Sequence, residues 1–326
     1  MNEAAKLLEL KNVKQQYKVG FGIGKTKTAH CLSDISFAIE EGKTLGLVGE
    51  SGSGKTTTTR VVLGIEAPTA GEVSYRGKSL STYGKKQWKS FREEVQAVFQ
   101  NPLDSFDPRF SVGQILDEPL SVNRKFKRDE RKKKVAELLE MVGLSPEFAE
   151  RYPHEFSGGQ LQRIAIARAL ALEPKLLVLD EPVSALDVSV RGQILNLLHD
   201  LQKDKKISYL YISHDIASVR YLCDSIAIIY FGQIVEYGST EQIFENPLHP
   251  YTQELLRAGV VTKLTDEVEG TVHEVPSVTA PPSGCPFADR CRYCAESCRV
   301  KKPVEYTEDG KGHFTLCRGL DPAKWL

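Results

Sequence analysis

Short apolar runs rich in Leu, Val and Ile recur along the chain: TLGLV at 44–48, LLVL at 176–179, ISYLYI at 207–212 and SIAIIYF at 225–231. Each is continuous rather than alternating, which predicts strands covered on both faces of a parallel sheet. Stretches with helical spacing at 160–172 and 190–203 lie among them, so the pattern is α/β. A helical subdomain is expected at about 111–165. Its best segment sets Val135, Leu138, Leu139 and Val142 on one face and stops at Gly143. The basic run RKFKRDERKKK that opens this segment reads as the solvated side of an amphipathic helix. Beyond residue 260 the periodicity fades into TKLTDEVEGTVHEVPSVTAPPSG, a linker by composition. One large domain over 1–260 is therefore expected, followed over 261–326 by a linker and a small cysteine-rich extension.

Composition narrows the function classes. Lys and Arg together number 43, as do Asp and Glu, so no whole-molecule field favours nucleic acid as a partner. No run approaches the 18 or so apolar residues of a membrane span. The opening MNEAAKLLELKNV has no basic region followed by an apolar one, and no signal peptide is expected there.

Three segments carry candidate chemistry. LGLVGESGSGKTT holds Gly49, Gly54, Lys55 and Thr56 in the G-x4-G-K-[ST] spacing, after a strand-like run and before a helical one. With Ser51, Gly52, Ser53 and Thr57 this loop can wrap its backbone N–H groups around a phosphate chain. Lys55 would reach the β and γ phosphates, and the Thr56 hydroxyl would ligate Mg²⁺. KLLVLDEP ends an apolar strand in two carboxylates; Asp180 suits the metal and Glu181 the base that orients an attacking water. FSGGQ places Ser157, Gly158, Gly159 and Gln160 at a helix start, a second cradle of donors for an anion.

The sequence SGCPFADRCRYCAESC at 283–298, with Cys317 beyond it, groups five of the seven cysteines. A chain without an export signal is expected in a reducing compartment, where clustered cysteines hold metal more often than they form disulfides. The C-x5-C-x2-C-x3-C spacing names no metal, and four thiolates suit either Zn²⁺ or a [4Fe–4S] cluster. Cys31 and Cys223 read as ordinary buried residues.

Over about residues 7–258 the motifs resemble, in order, those of the nucleotide-binding subunit of ATP-binding-cassette (ABC) transporters: the P-loop, Gln100 in VFQNP, SGGQ, Asp187 in SALD and His214 in ISHD. The resemblance implies a P-loop NTPase fold of the ABC type and a head-to-tail dimer, with each ATP held between one subunit's P-loop and the other's SGGQ. It implies that Gln100 and Asp180 complete the Mg²⁺ shell begun by Thr56. Glu181 would polarise the water, His214 would contact the γ-phosphate, and Tyr17 is the candidate to stack on adenine. Phe156 replaces the usual Leu before SGGQ, and Thr57 a frequent Ser; neither removes a donor or a carboxylate.

NPLHPYTQELL at 246–256, NPLDSFDPR at 101–109 and the tail resemble the oligopeptide and dipeptide importer branch. That branch implies a heterodimer with a second homologous ATP-binding subunit beneath two transmembrane permease subunits, and an extracytoplasmic solute-binding protein. The location it implies is peripheral, at the cytoplasmic face of the cell membrane. Its tail implies a [4Fe–4S] cluster on Cys285, Cys291, Cys298 and Cys317, with Zn²⁺ the alternative and Cys294 able to replace one ligand. Nickel or haem as cargo, and a soluble ABC ATPase outside transport, are the competing readings.

Overall fold

The computed structural model describes residues 6–20, 26–123, 126–261, 277–300, 307–308 and 311–317. The expected linker therefore lies outside the described residues as far as 276. The described residues fall into two units.

One unit consists of Glu40–Lys43 and Tyr83–Ile212. Its strands Val95–Val98, Leu176–Asp180 and Ser208–Ser213 pair in parallel, with Val98 opposite Leu179 and Asp180 opposite Ile212. Leu176 to Leu179 are fully buried, as a continuous apolar run requires. The helix Gly158–Leu170 buries Leu161, Ile164 and Ala165, and Val188–Lys205 buries Ile194, Leu195, Leu198 and Leu201 at helical spacing. The helices Val112–Asn123 and Arg128–Met141 lie within residues 111–165. In the second, Val135, Leu138 and Leu139 are buried. The stop at Gly143 is a capped end: the Leu144 N–H donates to the Leu139 carbonyl at 2.9 Å.

The other unit consists of Lys6–Ile39, Thr44–Thr82 and the described part of Ser213–Leu326. Here the strand Thr44–Val48 runs parallel to Ser225–Tyr230, which pairs antiparallel with Gln233–Ser239. The short strands Phe314–Thr315 and Thr307–Glu308 from the tail extend this edge. A separate four-stranded sheet is ordered Thr26–Glu40, Lys6–Gly20, Ala70–Tyr75, Lys78–Ser79. Lys6–Gly20 and Ala70–Tyr75 are antiparallel, Leu8 facing Tyr75 and Leu10 facing Val73. The parallel runs stand where the sequence sets them; the antiparallel sheet is an addition to the expected α/β pattern.

Candidate functional site

The fully buried strand Thr44–Val48 delivers the chain to Gly49, where a Cβ would sit 2.2 Å from the Ile229 carbonyl oxygen. No side chain fits that approach, and the loop turns there toward the helix Lys55–Val62. Ser51, Gly52 and Thr56 are exposed, while Ser53 and Lys55 are buried. The Lys55 ammonium is held against the loop, donating to the carbonyls of Gly49 at 2.6 Å and Glu50 at 2.8 Å. Ser53 Oγ is buried with no hydrogen-bond partner among the described residues. An orphaned hydroxyl and a lysine beside a helix N-terminus fit the oxygens of a phosphate chain.

Two further expected residues lie in the same unit. Tyr17, on Lys6–Gly20, donates its hydroxyl to Glu66, and its phenol also interacts with the Thr57 side chain at the start of the loop helix. Burial first, and Glu66 second, push its pKa up. His214 is exposed, one residue beyond Ser208–Ser213 and directly before Asp215, which caps Ile216–Leu222.

In the other unit, Gln100 lies exposed two residues beyond Val95–Val98, and Asp180 ends Leu176–Asp180. The register of Val98 opposite Leu179 sets both at the same carboxyl edge. Glu181 follows with φ 49°, the left-handed region that a non-glycine residue adopts at a cost of about 1–3 kcal/mol. It is held there by its N–H donating to the Ile212 carbonyl at 2.8 Å and by the Ser184 hydroxyl donating to its own carbonyl at 3.0 Å. Such strain is characteristic of residues whose placement matters more than local stability.

The SGGQ segment forms a capped helix start. Ser157 caps Gly158–Leu170, its Oγ accepting from the Gln160 N–H while the Gln160 side chain accepts from the Ser157 N–H at 3.0 Å. At Gly159 a Cβ would come within 2.3 Å of Val190 Cγ1, so the two helices meet through a glycine. Asp187 is exposed and opens Val188–Lys205.

In the tail, the Cys285 N–H donates to the Cys298 carbonyl at 2.6 Å, and the Cys291 N–H to the Phe287 carbonyl at 3.0 Å. Burial pushes the Cys285 thiol up to about 11, and Cys317, Cys298 and Cys291 add to the shift by their charge. None of the seven cysteines forms a disulfide. Among the described residues no group of three or more His, Cys, Asp or Glu side chains is arranged to hold a metal ion. The donor chemistry expected of a metal site is present; a closed set of ligands is not. Packing holds the tail in place, with Phe287 buried against Tyr230, Tyr251 and His249. His313 is also buried against Glu236 at 2.8 Å.

Sequence reasoning missed Glu50, Tyr251 and Arg290. Glu50 passes as an arbitrary residue of the loop motif, and Arg290 as one of the two charges in CPFADRC. Only the fold joins them.

Residues 32–184 match the family model described as ABC transporter, and residues 235–298 that described as oligopeptide/dipeptide transporter, C-terminal region. The dipeptide transport ATP-binding protein DppF of Haemophilus influenzae is 46% identical over 95% of this chain and 96% of its own length. The chain belongs to the ATP-binding subunits of ABC transporters. Within that family, the oligopeptide transport ATP-binding protein OppF of Escherichia coli is 41% identical, with 97% of each protein covered. An ATP-binding cassette solved as a dimer in a post-hydrolysis state with ADP and Pi superposes with a TM-score of 0.64. It is 29% identical and covers 72% of this chain and 98% of its own. The chain is thus an ABC-type ATPase. Among the described residues no helix is long and apolar enough to cross a membrane.

Proposed function

We propose that this chain is the ATP-hydrolysing subunit that energises import of dipeptides and oligopeptides across the cytoplasmic membrane. The observation that carries the reading is the near end-to-end likeness to dipeptide and oligopeptide transport ATP-binding proteins. The ATP-binding domain spans 1–260 and the cysteine-bearing extension 261–326.

Lys55 and the N–H groups of residues 49–57 bind the phosphates, and Tyr17 packs on the adenine. Thr56, Gln100 and Asp180 would hold Mg²⁺, which neutralises charge on the β and γ phosphates. Glu181 takes the proton of the attacking water, and His214 contacts the γ-phosphate. Ser157, Gly158, Gly159, Gln160 and Asp187 serve the ATP bound by a second, homologous subunit.

The chain acts at the cytoplasmic face of the membrane, beneath two permease subunits supplied by an extracytoplasmic solute-binding protein. Within the unit that carries Gln100, a groove of about 380 Å³ is lined by Phe99, Phe106, Pro119 and Val122. Phe99 is 42% and Val122 72% exposed, an apolar patch suited to a permease loop.

For the tail we propose a [4Fe–4S] cluster on Cys285, Cys291, Cys298 and Cys317, supported by soft thiol donors gathered near the C-terminus, with the Cys285 N–H donating to the Cys298 carbonyl. Binding would have to draw the thiolates together. Anaerobically purified protein should carry about four irons and four sulfides per chain. One zinc instead would replace the cluster with Zn²⁺, and metal-free protein would remove the site.

The transport reading is tested by reconstituting the chain with its co-purifying membrane subunits in proteoliposomes. Peptide with its binding protein should stimulate ATP hydrolysis; stimulation by nickel or haem but not peptide would reassign the cargo. Failure to associate with any membrane subunit would favour an ATPase outside transport.

A further inference from the structure

The structure links the C-terminal tail to the phosphate loop through one side chain. Arg290 lies between Phe287 and Cys291 in the turn CPFADRC, and its guanidinium reaches Glu50, the second residue of the loop. The pair is bidentate: Nη1 donates to Oε2 and Nη2 to Oε1, both at 2.8 Å. Nη2 also donates to Glu254 Oε1 at 2.5 Å.

Three features distinguish this from an ordinary surface ion pair. The Arg290 side chain is only 15% exposed. Its guanidinium sits 5.4–5.8 Å from the centres of the Phe287, Tyr230 and Tyr251 rings, so aromatic faces fix its plane. Glu50 is also held through its backbone, its N–H donating to the buried Tyr251 hydroxyl at 2.9 Å and its carbonyl accepting from Lys55 at 2.8 Å. The residue that receives the Arg290 fork is therefore the one that helps orient the phosphate-binding lysine.

Charge gives the contact a second consequence. A carboxylate inside a phosphate-binding loop repels the anion the loop must hold, and Arg290 neutralises it at close range. Lysine cannot reproduce this, because a single ammonium does not span two carboxylate oxygens in a fixed plane.

We propose that Arg290 is a positioning residue for nucleotide binding: by fixing and neutralising Glu50 it sets the affinity of the loop for ATP, making that affinity depend on a correctly folded C-terminal tail. The inference rests on the reading of residues 49–57 as the ATP site. It assigns to the tail a role in nucleotide binding beyond attaching itself to the domain.

The test is the dissociation constant of MgATP on the full-length chain, measured with Glu181→Gln present throughout so that no turnover intervenes. Arg290→Met should weaken binding about tenfold, the factor given by a coupling of about 1.4 kcal/mol. Arg290→Lys should recover part of the loss. Glu50→Gln removes the repelling charge, so the double variant with Arg290→Met should bind better than Arg290→Met alone, whereas a merely structural arginine would leave the two effects additive. If Arg290→Met does not fold, Glu50→Gln combined with Arg290→Lys carries the same comparison. MgATP binding within twofold of the parent for Arg290→Met, or additive effects in the double variant, would overturn the proposal. Lys55→Ala is the control: if it still binds MgATP, the site itself is misassigned, whereas its loss of binding alongside a normal Arg290→Met rejects only the role of Arg290.

Discussion

The backbone N–H of Glu181 donates to the carbonyl of Ile212 at 2.8 Å, anchoring a residue with φ 49° to the end of the neighbouring strand. That bond fixes where the carboxylate begins, immediately after Asp180. Replacing Glu181 by Gln keeps shape and backbone but removes the proton acceptor. Turnover should fall by about 10²–10⁴-fold while MgATP binding is kept. Phosphate release in the assembled transporter measures it, and full activity would remove Glu181 from the base role.

Gly159 meets Val190 with no room for a methyl group. Gly159→Ala should overpack the contact between the SGGQ helix and Val188–Lys205, at a cost of about 1–3 kcal/mol in stability. It should also lower turnover by moving the helix start that carries Ser157. Shortening the neighbour with Val190→Ala in the same chain should restore most of both losses. Thermal unfolding and ATPase assays on the three variants decide it; a double variant as impaired as Gly159→Ala would mean that another contact is limiting.

How far the sequence reveals this molecule depends on how local each cause is. The runs at 176–179 and 225–231 are continuous because both faces are covered, so their strands are legible without partners. The phosphate loop is legible because its glycines, lysine and hydroxyls act within a few residues. The antiparallel sheet is not legible in the sequence. Within Lys6–Gly20 period two holds only over residues 8–11, after which Asn12 takes φ 48° and the register against Ala70–Tyr75 shifts. Still less visible is the Arg290–Glu50 pair, whose members are 240 positions apart. The cysteines announced themselves as a group, yet the packing of Phe287 and the Glu236–His313 contact that hold the tail follow from pairings that no spacing encodes.

Ser157 caps the helix that would present donors to a partner's ATP. Ser157→Arg puts a bulky cation there and leaves Lys55, in the other unit, untouched. In a mixed dimer the affinity of this chain's own P-loop for MgATP should stay near the parent value. Hydrolysis of the ATP held by the partner's P-loop should fall at least tenfold, as removal of a preorganised anion donor does by about 10²–10³-fold in other enzymes. Site-resolved binding and turnover read the two separately. A defect at the mutant's own P-loop would contradict the composite site.

His249 is 2% exposed, and burial pushes its imidazole down to about 3 from an ordinary 6.5. Its Nδ1 accepts from the Tyr251 N–H at 3.1 Å, a bond that needs the neutral ring. Between pH 6.5 and 3 the unfolded chain binds a proton that the folded chain refuses, so this site's contribution is complete above 6.5 and declines as pH falls. At pH 5 the expected loss is about 2 kcal/mol, from 1.36 kcal/mol per pH unit. His249→Asn supplies a side-chain oxygen in place of Nδ1 and cannot titrate. The variant should be less stable than the parent at pH 7.5 for lost packing, but its unfolding midpoint should fall by several degrees less between pH 7.5 and 5. Parallel acid slopes for the two proteins would place the source of acid sensitivity elsewhere.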